Sequence, residues 1–272
     1  MSKVTFLWKL LYLCEKLHCY ATVFVLTPGF LIFEMVVVRP ELAQIYQAGV
    51  AKQILHIFLS MFCFVNVAGN MMLSILSDCK LKIGLQTAQG GEFCELCQIY
   101  RPPKAWHCRV CNACIIRRDH HCFFFSRCIG LYNMRYYLLY IAHIHITMVY
   151  SSYYNYYFVS SKFKGHGFAL SAFCVLNPLL RYVITEKLTI NDFYVLMFLM
   201  NIGLVFWSGF LLWFHVKNAL RGVTARDYRD PATRSWRQNF LSVFGSKWYL
   251  AIVWPFADSP AIEESKLEGN DH

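Results

Sequence analysis

Ten residues in one short segment carry side chains that bind metals or act as nucleophiles. Between Cys94 and Cys128 the chain holds seven cysteines and three histidines. Cys94, Cys97, His107 and Cys114 stand at offsets 0, 3, 13 and 20, and a shift of fourteen carries the set onto Cys108, Cys111, His121 and Cys128. Three thiolates and one imidazole suit a tetrahedral structural zinc ion, with a Cys-x-x-Cys knuckle supplying two ligands from one turn. Ligand softness favours zinc, with iron the weaker alternative. The second set begins inside the first, so the two sites interleave. A segment with so little apolar core depends on its metals to fold.

Two four-coordinate sites use eight of the ten candidates and leave His120 and Cys122. Asp119 stands just before them, giving Asp119-His120-His121-Cys122. A cysteine outside the ligand sets, with an imidazole two residues away and an acid behind it, has the parts of an activated nucleophile. The base eases thiolate formation, and the carboxylate fixes the tautomer of the base and stabilises its charged form. The plainer alternative is an idle buried thiol, which these neighbours count against. Making His120 the ligand instead of His121 would break the shift of fourteen.

The elements around this segment must hold it at a membrane. The chain has 272 residues, of which 57% are hydrophobic, 17% aromatic and 15% charged, with a formal charge of +10. A soluble domain carries roughly 25% charged residues, so an ordinary soluble enzyme is excluded. The aromatic content excludes disorder. Membrane spans need roughly 20 mainly apolar residues, and four windows qualify: Leu17 to Val38, Gln53 to Leu76, Tyr136 to Phe158 and Asp192 to Val216. A fifth, Phe168 to Ile184, is short and holds Asn177, Pro178 and Arg181, which reads as an interfacial piece of a loop. Lys and Arg number nine over 77–135 and six over 217–237, against one over 39–51 and four over 159–191. By the positive-inside rule both termini and the central loop are cytosolic.

The expected fold is therefore an all-α polytopic membrane protein: four transmembrane helices, with a small zinc-stabilised cytosolic cysteine-rich domain between helices 2 and 3. The expected divisions are 1–76, an N-terminal segment with helices 1 and 2; 77–135, the zinc domain; 136–216, helices 3 and 4 with a lumenal loop; and 217–272, a cytosolic C-terminal region. Residues 4–13 either lie on the bilayer or extend the first span. The tail from Asp258 is acidic and expected to be disordered. The first apolar stretch contains Glu34 and reads as a retained anchor, not a cleaved signal.

The run from Cys94 to Tyr136, with Asp119-His120-His121-Cys122, Cys128 and Asn133, resembles the cysteine-rich domain of the DHHC-type protein S-acyltransferases, or palmitoyltransferases. The four spans around it resemble that family too. The resemblance implies a two-step transfer, in which Cys122 takes a fatty acyl group from acyl-CoA such as palmitoyl-CoA and passes it to cysteines of membrane-associated proteins. It implies His120 as base, Asp119 as its orienting partner, two structural Zn²⁺ held by the eight ligands, and a multi-pass protein of the endomembrane system, Golgi or endoplasmic reticulum. Several positions depart from the family's pattern. Phe123 and Phe124 follow the nucleophile where Pro and Trp are common, and Ser126-Arg127 replaces paired asparagines. Cys79 follows Asp78 in place of Pro-Gly, and a Thr-Thr-x-Glu element is reduced to Thr224-Ala225-Arg226-Asp227. Asn239, Phe244, Gly245 and Trp248 match a C-terminal motif.

Further candidates carry weaker signals. Phe123 to Phe125 either hold Cys122 at bilayer depth or pack the zinc domain onto the spans. Of the basic set Arg101, Lys104, Arg109, Arg117, Arg118, Arg127 and Arg135, we single out Arg101, Lys104 and Arg118 for CoA phosphates. Tyr140, Thr147 and Ser151 share a helix face that would line an acyl pocket, with packing between spans as the alternative. Glu34, Asn66 and Asn70 are read as interhelical hydrogen-bonding residues, and His143 and His145 as packed. Cys14, Cys19, Cys63, Cys79 and Cys174 have no assigned role, though Cys14, Cys19 and Cys79 near span ends are open to acylation. A membrane adaptor that uses the zinc module only for protein binding is the competing function. Nucleic-acid binding is excluded, because the ligand spacing is not that of a base-reading finger.

Overall fold

The computed structural model describes residues 3–81, 91–162, 189–227 and 234–259, and for residues 3–9 the backbone only. The proposed loop segment Phe168 to Ile184, Cys174 and most of the acidic tail lie outside these residues. The structure is mostly helical. Helices α1 (Lys3–Ala21), α2 (Thr27–Phe33) and α3 (Arg39–Ile45) run on through π-helical turns at Thr22–Leu26 and Glu34–Val38. Each π turn ends two residues before a proline, Pro28 or Pro40. Proline cannot donate a backbone hydrogen bond, and a π turn re-routes the ladder around the gap. Residues 4–13 lie within helix α1, continuous with the residues that follow.

Helices α4 (Val50–Leu76), α5 (Met134–Lys162) and α6 (Ile190–Arg221) follow, then α7 (Trp236–Phe244) and α8 (Trp248–Val253). Among the described residues, three stretches are long and apolar enough to cross a membrane: Leu10–Ile45, Val50–Leu76 and Ile190–Arg221. Helix α5 contains the third expected window as a continuous helix of 29 residues, about 44 Å at 1.5 Å per residue. Its many tyrosines, serines and histidines keep it out of the group that qualifies on composition.

The chain divides into two compact units. One comprises Met1–Thr27, Val65–Ile141 and Leu212–His272, and the other Pro28–Phe64 and Ala142–Leu211. The second unit has an apolar centre of Val38, Leu42, Phe158, Val159, Val195 and Phe198. It also buries Glu34, whose Oε1 accepts from Ser151 Oγ at 2.6 Å and from Asn155 Nδ2, while Asn201 Nδ2 donates to Ser151 Oγ at 2.9 Å. A buried carboxyl needs such partners, so Glu34 serves as the interhelical residue expected from the sequence.

The first unit holds the cysteine-rich segment, and here the structure corrects the all-α expectation. Three antiparallel ribbons pair β1 (Glu92–Cys94) with β2 (Ile99–Arg101), β3 (Trp106–Cys108) with β4 (Ala113–Ile115), and β5 (His120–Cys122) with β6 (Arg127–Ile129). A Cys-x-x-Cys knuckle needs strand, tight turn and returning strand to aim both sulfurs at one point. Gln98, Asn112 and Ser126, each in the left-handed region with φ of 56°, 47° and 50°, close the three turns. Asn133 ties this module to the helices. Its Oδ1 accepts from Gly130 N at 2.8 Å, and its Nδ2 donates to the carbonyls of Ser74 and Cys128 at 3.2 and 3.0 Å. Gly130 has no room for a side chain, since an added Cβ would sit 2.6 Å from the Ile116 carbonyl oxygen.

Candidate metal centres and active site

The ligand atoms of Cys94, Cys97, His107 and Cys114 lie within 4.8 Å of one another, and so do those of Cys108, Cys111, His121 and Cys128. A tetrahedral zinc ion with Zn–S near 2.3 Å and Zn–N near 2.1 Å has S···N edges of roughly 3.6 Å and S···S edges of roughly 3.8 Å. In the first set the His107 Nδ1 distances are 3.7 Å to Cys94 Sγ and 3.2 Å to Cys97 Sγ. In the second, His121 Nδ1 stands 3.6, 3.3 and 3.7 Å from Cys108, Cys111 and Cys128, and Cys111 Sγ stands 3.7 Å from Cys128 Sγ. These spacings are those of tetrahedral edges, so both donor sets fit a metal ion. His121 turns its other nitrogen, Nε2, to Glu15 Oε2 at 3.0 Å, the carboxylate–histidine arrangement that orients a metal-bound imidazole.

The third ribbon carries the leftover residues. Cys122 ends β5, is buried, and belongs to neither ligand set. His120, two residues earlier on the same face of the strand, interacts with the Cys122 thiol. His120 Nδ1 donates to Asp119 Oδ2 at 2.7 Å. The other carboxylate oxygen, Oδ1, accepts from the Ala225 backbone N–H at 2.6 Å, and the Asp119 side chain is 1% exposed. Burial alone would raise the Asp119 carboxyl, but the bonds from His120 and Ala225 outweigh it and hold the group below its usual range. Burial likewise works against a charged His120, yet its bonds to Asp119 and Cys122 prevail and push it up to about 9. The arrangement sets an imidazole, oriented by a buried carboxylate, on the same strand as the Cys122 sulfur.

The sequence that builds this site has counterparts among known proteins. The model of the DHHC palmitoyltransferase domain matches residues 87–231, over half of the chain. The chain belongs to the DHHC palmitoyltransferase family. The rat protein "Probable palmitoyltransferase ZDHHC24" (Rattus norvegicus) is 30% identical over 220 residues, covering 76% of this chain and 75% of that one. Mouse "Palmitoyltransferase ZDHHC22" (Mus musculus) is 29% identical over 220 residues, covering 74% of this chain and 77% of its own length. Arabidopsis thaliana "Protein S-acyltransferase 8" is 41% identical over 59 residues, or 22% of this chain and 14% of that one. As a DHHC palmitoyltransferase the chain is an enzyme, a membrane-bound protein S-acyltransferase.

Within this DHHC protein the departures from the family's pattern acquire physical explanations. The degenerate Thr224-Ala225-Arg226-Asp227 element is held in place by Asp227 N donating to Thr224 Oγ1 at 3.1 Å, and by Trp106 Nε1 donating to Asp227 Oδ2 at 3.3 Å. It reaches Asp119 through a backbone N–H, which needs no particular side chain. Cys79 is buried, its Sγ 3.3 Å from Asn133 Oδ1, and burial pushes its thiol up to about 11. Asn239 Nδ2 donates to the Leu220 carbonyl at 3.0 Å, and Gly245 caps α7 with φ of 77°.

The phenylalanines part company. Phe125 is buried against Tyr137 and Tyr140, at ring distances of 5.9 and 5.1 Å. Phe123 and Phe124 are exposed and flank His18. Arg101 and Arg118 line an open groove of about 620 Å³ with Trp106, Arg109 and Arg226, whereas Lys104 does not. The guanidinium groups of Arg101 and Arg226 stack on the Trp106 ring at 4.5 and 4.2 Å. Lys104 instead occupies a left-handed turn position with φ of 65°. Of the acyl-pocket candidates, Tyr140 packs on Phe125, Thr147 Oγ1 donates to the His143 carbonyl at 2.7 Å, and Ser151 is engaged by Glu34. His145 Nδ1 lies 3.1 Å from Ser208 Oγ. Sequence reasoning missed Glu15, Ala225, Tyr137 and His215. Glu15 and Ala225 give no local signal, because one lies 106 residues from its partner and the other acts through its backbone.

Proposed function

We propose that Cys122 is the acyl-accepting nucleophile, with His120 its base and Asp119 the residue that orients that base. The observation that carries this reading is a buried thiol outside both donor sets, on the same strand as His120, which is itself bonded to the buried Asp119 carboxylate. The Cys122 sulfur attacks the thioester carbonyl of acyl-CoA as its proton passes to His120. The new C–S bond forms as the bond to CoA breaks, and the His120 proton goes to the departing CoA thiolate. A substrate cysteine then repeats the exchange against the Cys122 thioester, with His120 taking its proton and Cys122 leaving.

The two donor sets would each hold one Zn²⁺, a structural ion that fixes the ribbons and takes no part in transfer. Arg101 and Arg118, in the groove beside Trp106, are the proposed contacts for CoA phosphates, together with Lys104, which does not line that groove. Tyr140, Thr147 and Ser151 are the proposed acyl-pocket residues. We place α5 as the third of four spans, with both termini and the zinc domain (77–135) cytosolic, the spans in 1–76 and 136–216, and the C-terminal region (217–272) returning to the cytosol. An endomembrane, Golgi or endoplasmic-reticulum location follows from the same reading, with cysteines of membrane-associated proteins as acceptors. The adaptor alternative is not favoured by any contact, since the altered element still reaches Asp119 through a backbone bond.

The test uses purified full-length protein with palmitoyl-CoA carrying a labelled chain. The expected result is label on the protein that hydroxylamine removes, and its transfer to an added cysteine peptide bound to vesicles. Label that resists hydroxylamine, or that never moves to the peptide, refutes the two-step reading.

A further inference from the structure

One imidazole beside the Asp119–His120 pair has no place in the transfer described above. His215, on α6, is buried, and its Nδ1 faces Asp119 Oδ2 at 3.6 Å, the same oxygen that accepts from His120. Its other nitrogen, Nε2, is 3.0 Å from the Tyr137 hydroxyl. Tyr137, in the first turn of α5, is 4% exposed and sets its ring edge-on to both imidazoles, at 5.2 Å from His120 and 5.0 Å from His215. The two imidazoles lie 5.3 Å apart. One carboxylate oxygen thus faces two rings, and one tyrosine braces both.

We propose that His215, held by Tyr137, is a positioning residue for Asp119 and through it for the His120 base. The proposal rests on the reading of Cys122 as nucleophile. The carboxylate selects the tautomer of His215. A lone pair on Nδ1 would face the Asp119 charge and be repelled, so Nδ1 carries the proton and Nε2 accepts from the Tyr137 hydroxyl. The result is one directed array: Tyr137 O–H to His215 Nε2, His215 Nδ1–H toward Asp119 Oδ2, and Asp119 Oδ2 to His120 Nδ1–H. At 3.6 Å the His215 contact is longer than a hydrogen bond. It acts as an oriented dipole on a buried charge, where the dielectric is low and such terms are large. Its effect is to keep Oδ2 from swinging away from His120, with Oδ1 fixed by Ala225. Small misplacements of a general base cost one to two orders of magnitude in rate.

The experiment measures single-turnover loading of labelled palmitate from palmitoyl-CoA onto the full-length chain, with metal content read on the same samples. His215→Leu is expected to slow loading roughly 10- to 100-fold, with KM for palmitoyl-CoA and metal content unchanged. His215→Asn, whose amide keeps a donor near the place of Nδ1, is expected to recover most of the rate. A purely structural role would not separate these two variants. Loading of His215→Leu at the wild-type rate, or Asn no better than Leu, overturns the proposal. Should His215→Leu lose its metals, Tyr137→Phe decides, because it removes a single hydroxyl. A rate lower by roughly 3- to 10-fold, the worth of one neutral hydrogen bond, supports the array, and an unchanged rate overturns it. Cys122→Ser is run alongside, since label on that variant refutes the nucleophile itself whatever His215 does.

Discussion

The three ribbons of the cysteine-rich segment follow one plan with different endings. Their first strands begin at Glu92, Trp106 and His120, and their second strands at Ile99, Ala113 and Arg127, so the fourteen-residue spacing holds for all three. The left-handed turn residues Gln98, Asn112 and Ser126 keep the same spacing. In the first two ribbons the knuckle positions are Cys94 with Cys97 and Cys108 with Cys111. In the third they are Cys122 and Phe125. A thiolate pair that would grip a metal has become one thiol and one buried ring. The same backbone that aims two sulfurs at a cation in the first two ribbons presents a single sulfur to His120 in the third. The missing second thiolate leaves Cys122 outside both donor sets.

The comparison breaks most completely where a metal site is dismantled. Cys128→Ser removes a ligand from the second set, whose residues also build β6 and, through its carbonyl, bind Asn133. Its expected outcome is loss of at least one metal ion, loss of cooperative unfolding and no acylation, as metal analysis and thermal melting would record. A chelator should act in the same way on the native chain.

Changing residues in or beside the third ribbon that bind no metal should separate chemistry from fold. Asp119→Asn leaves a similar shape but takes the charge from behind His120. Acyl loading is expected to fall by two to four orders of magnitude, as wrong-tautomer variants of such arrays do, with both metals retained in elemental analysis. Phe125→Ala opens a cavity against Tyr137 and Tyr140. It should cost about 3–5 kcal/mol in stability, measured by denaturation in detergent, while metal content stays at the native value.

The smallest expected effect concerns the brace behind a metal ligand. Glu15→Gln weakens the partner of His121 Nε2 without touching any ligand. Metal retention at the second site should fall by roughly 10- to 100-fold, read by competition with a chromogenic chelator, and the first site should be unaffected.

Much of this organisation was legible in the sequence because its signals are local and discrete. A shift of fourteen grouped the same two sets of four residues that converge in space, and it left His120 and Cys122 aside. The third copy is hidden in the ligand pattern because what repeats is the turn, and Ser126 and Phe125 carry no ligand chemistry. The ribbons themselves were missed for a similar reason, since three-residue strands closed by Gln98 or Asn112 leave no alternating hydrophobic pattern. Long-range partners were illegible on principle. Nothing near Glu15 points to His121, and an alanine at 225 conceals a backbone donor aimed at Asp119. His215 sits within an apolar helix, where a histidine reads as packing until its neighbours are known. In α5, tyrosines, histidines and serines blurred the composition, although Tyr136 to Phe158 was recognised as a helix from its length.

The measurement closest to the central claim is a native mass spectrum of the purified chain after exposure to palmitoyl-CoA, recorded for the wild type and for Cys122→Ser. Each spectrum counts metals and acyl groups on one molecule. The account predicts two zinc ions on both proteins, a hydroxylamine-labile palmitoyl group on the wild type and none on the variant. Loss of a metal from Cys122→Ser, or a palmitoyl thioester that persists on it, would contradict the claim that Cys122 is free of metal and carries the acyl group.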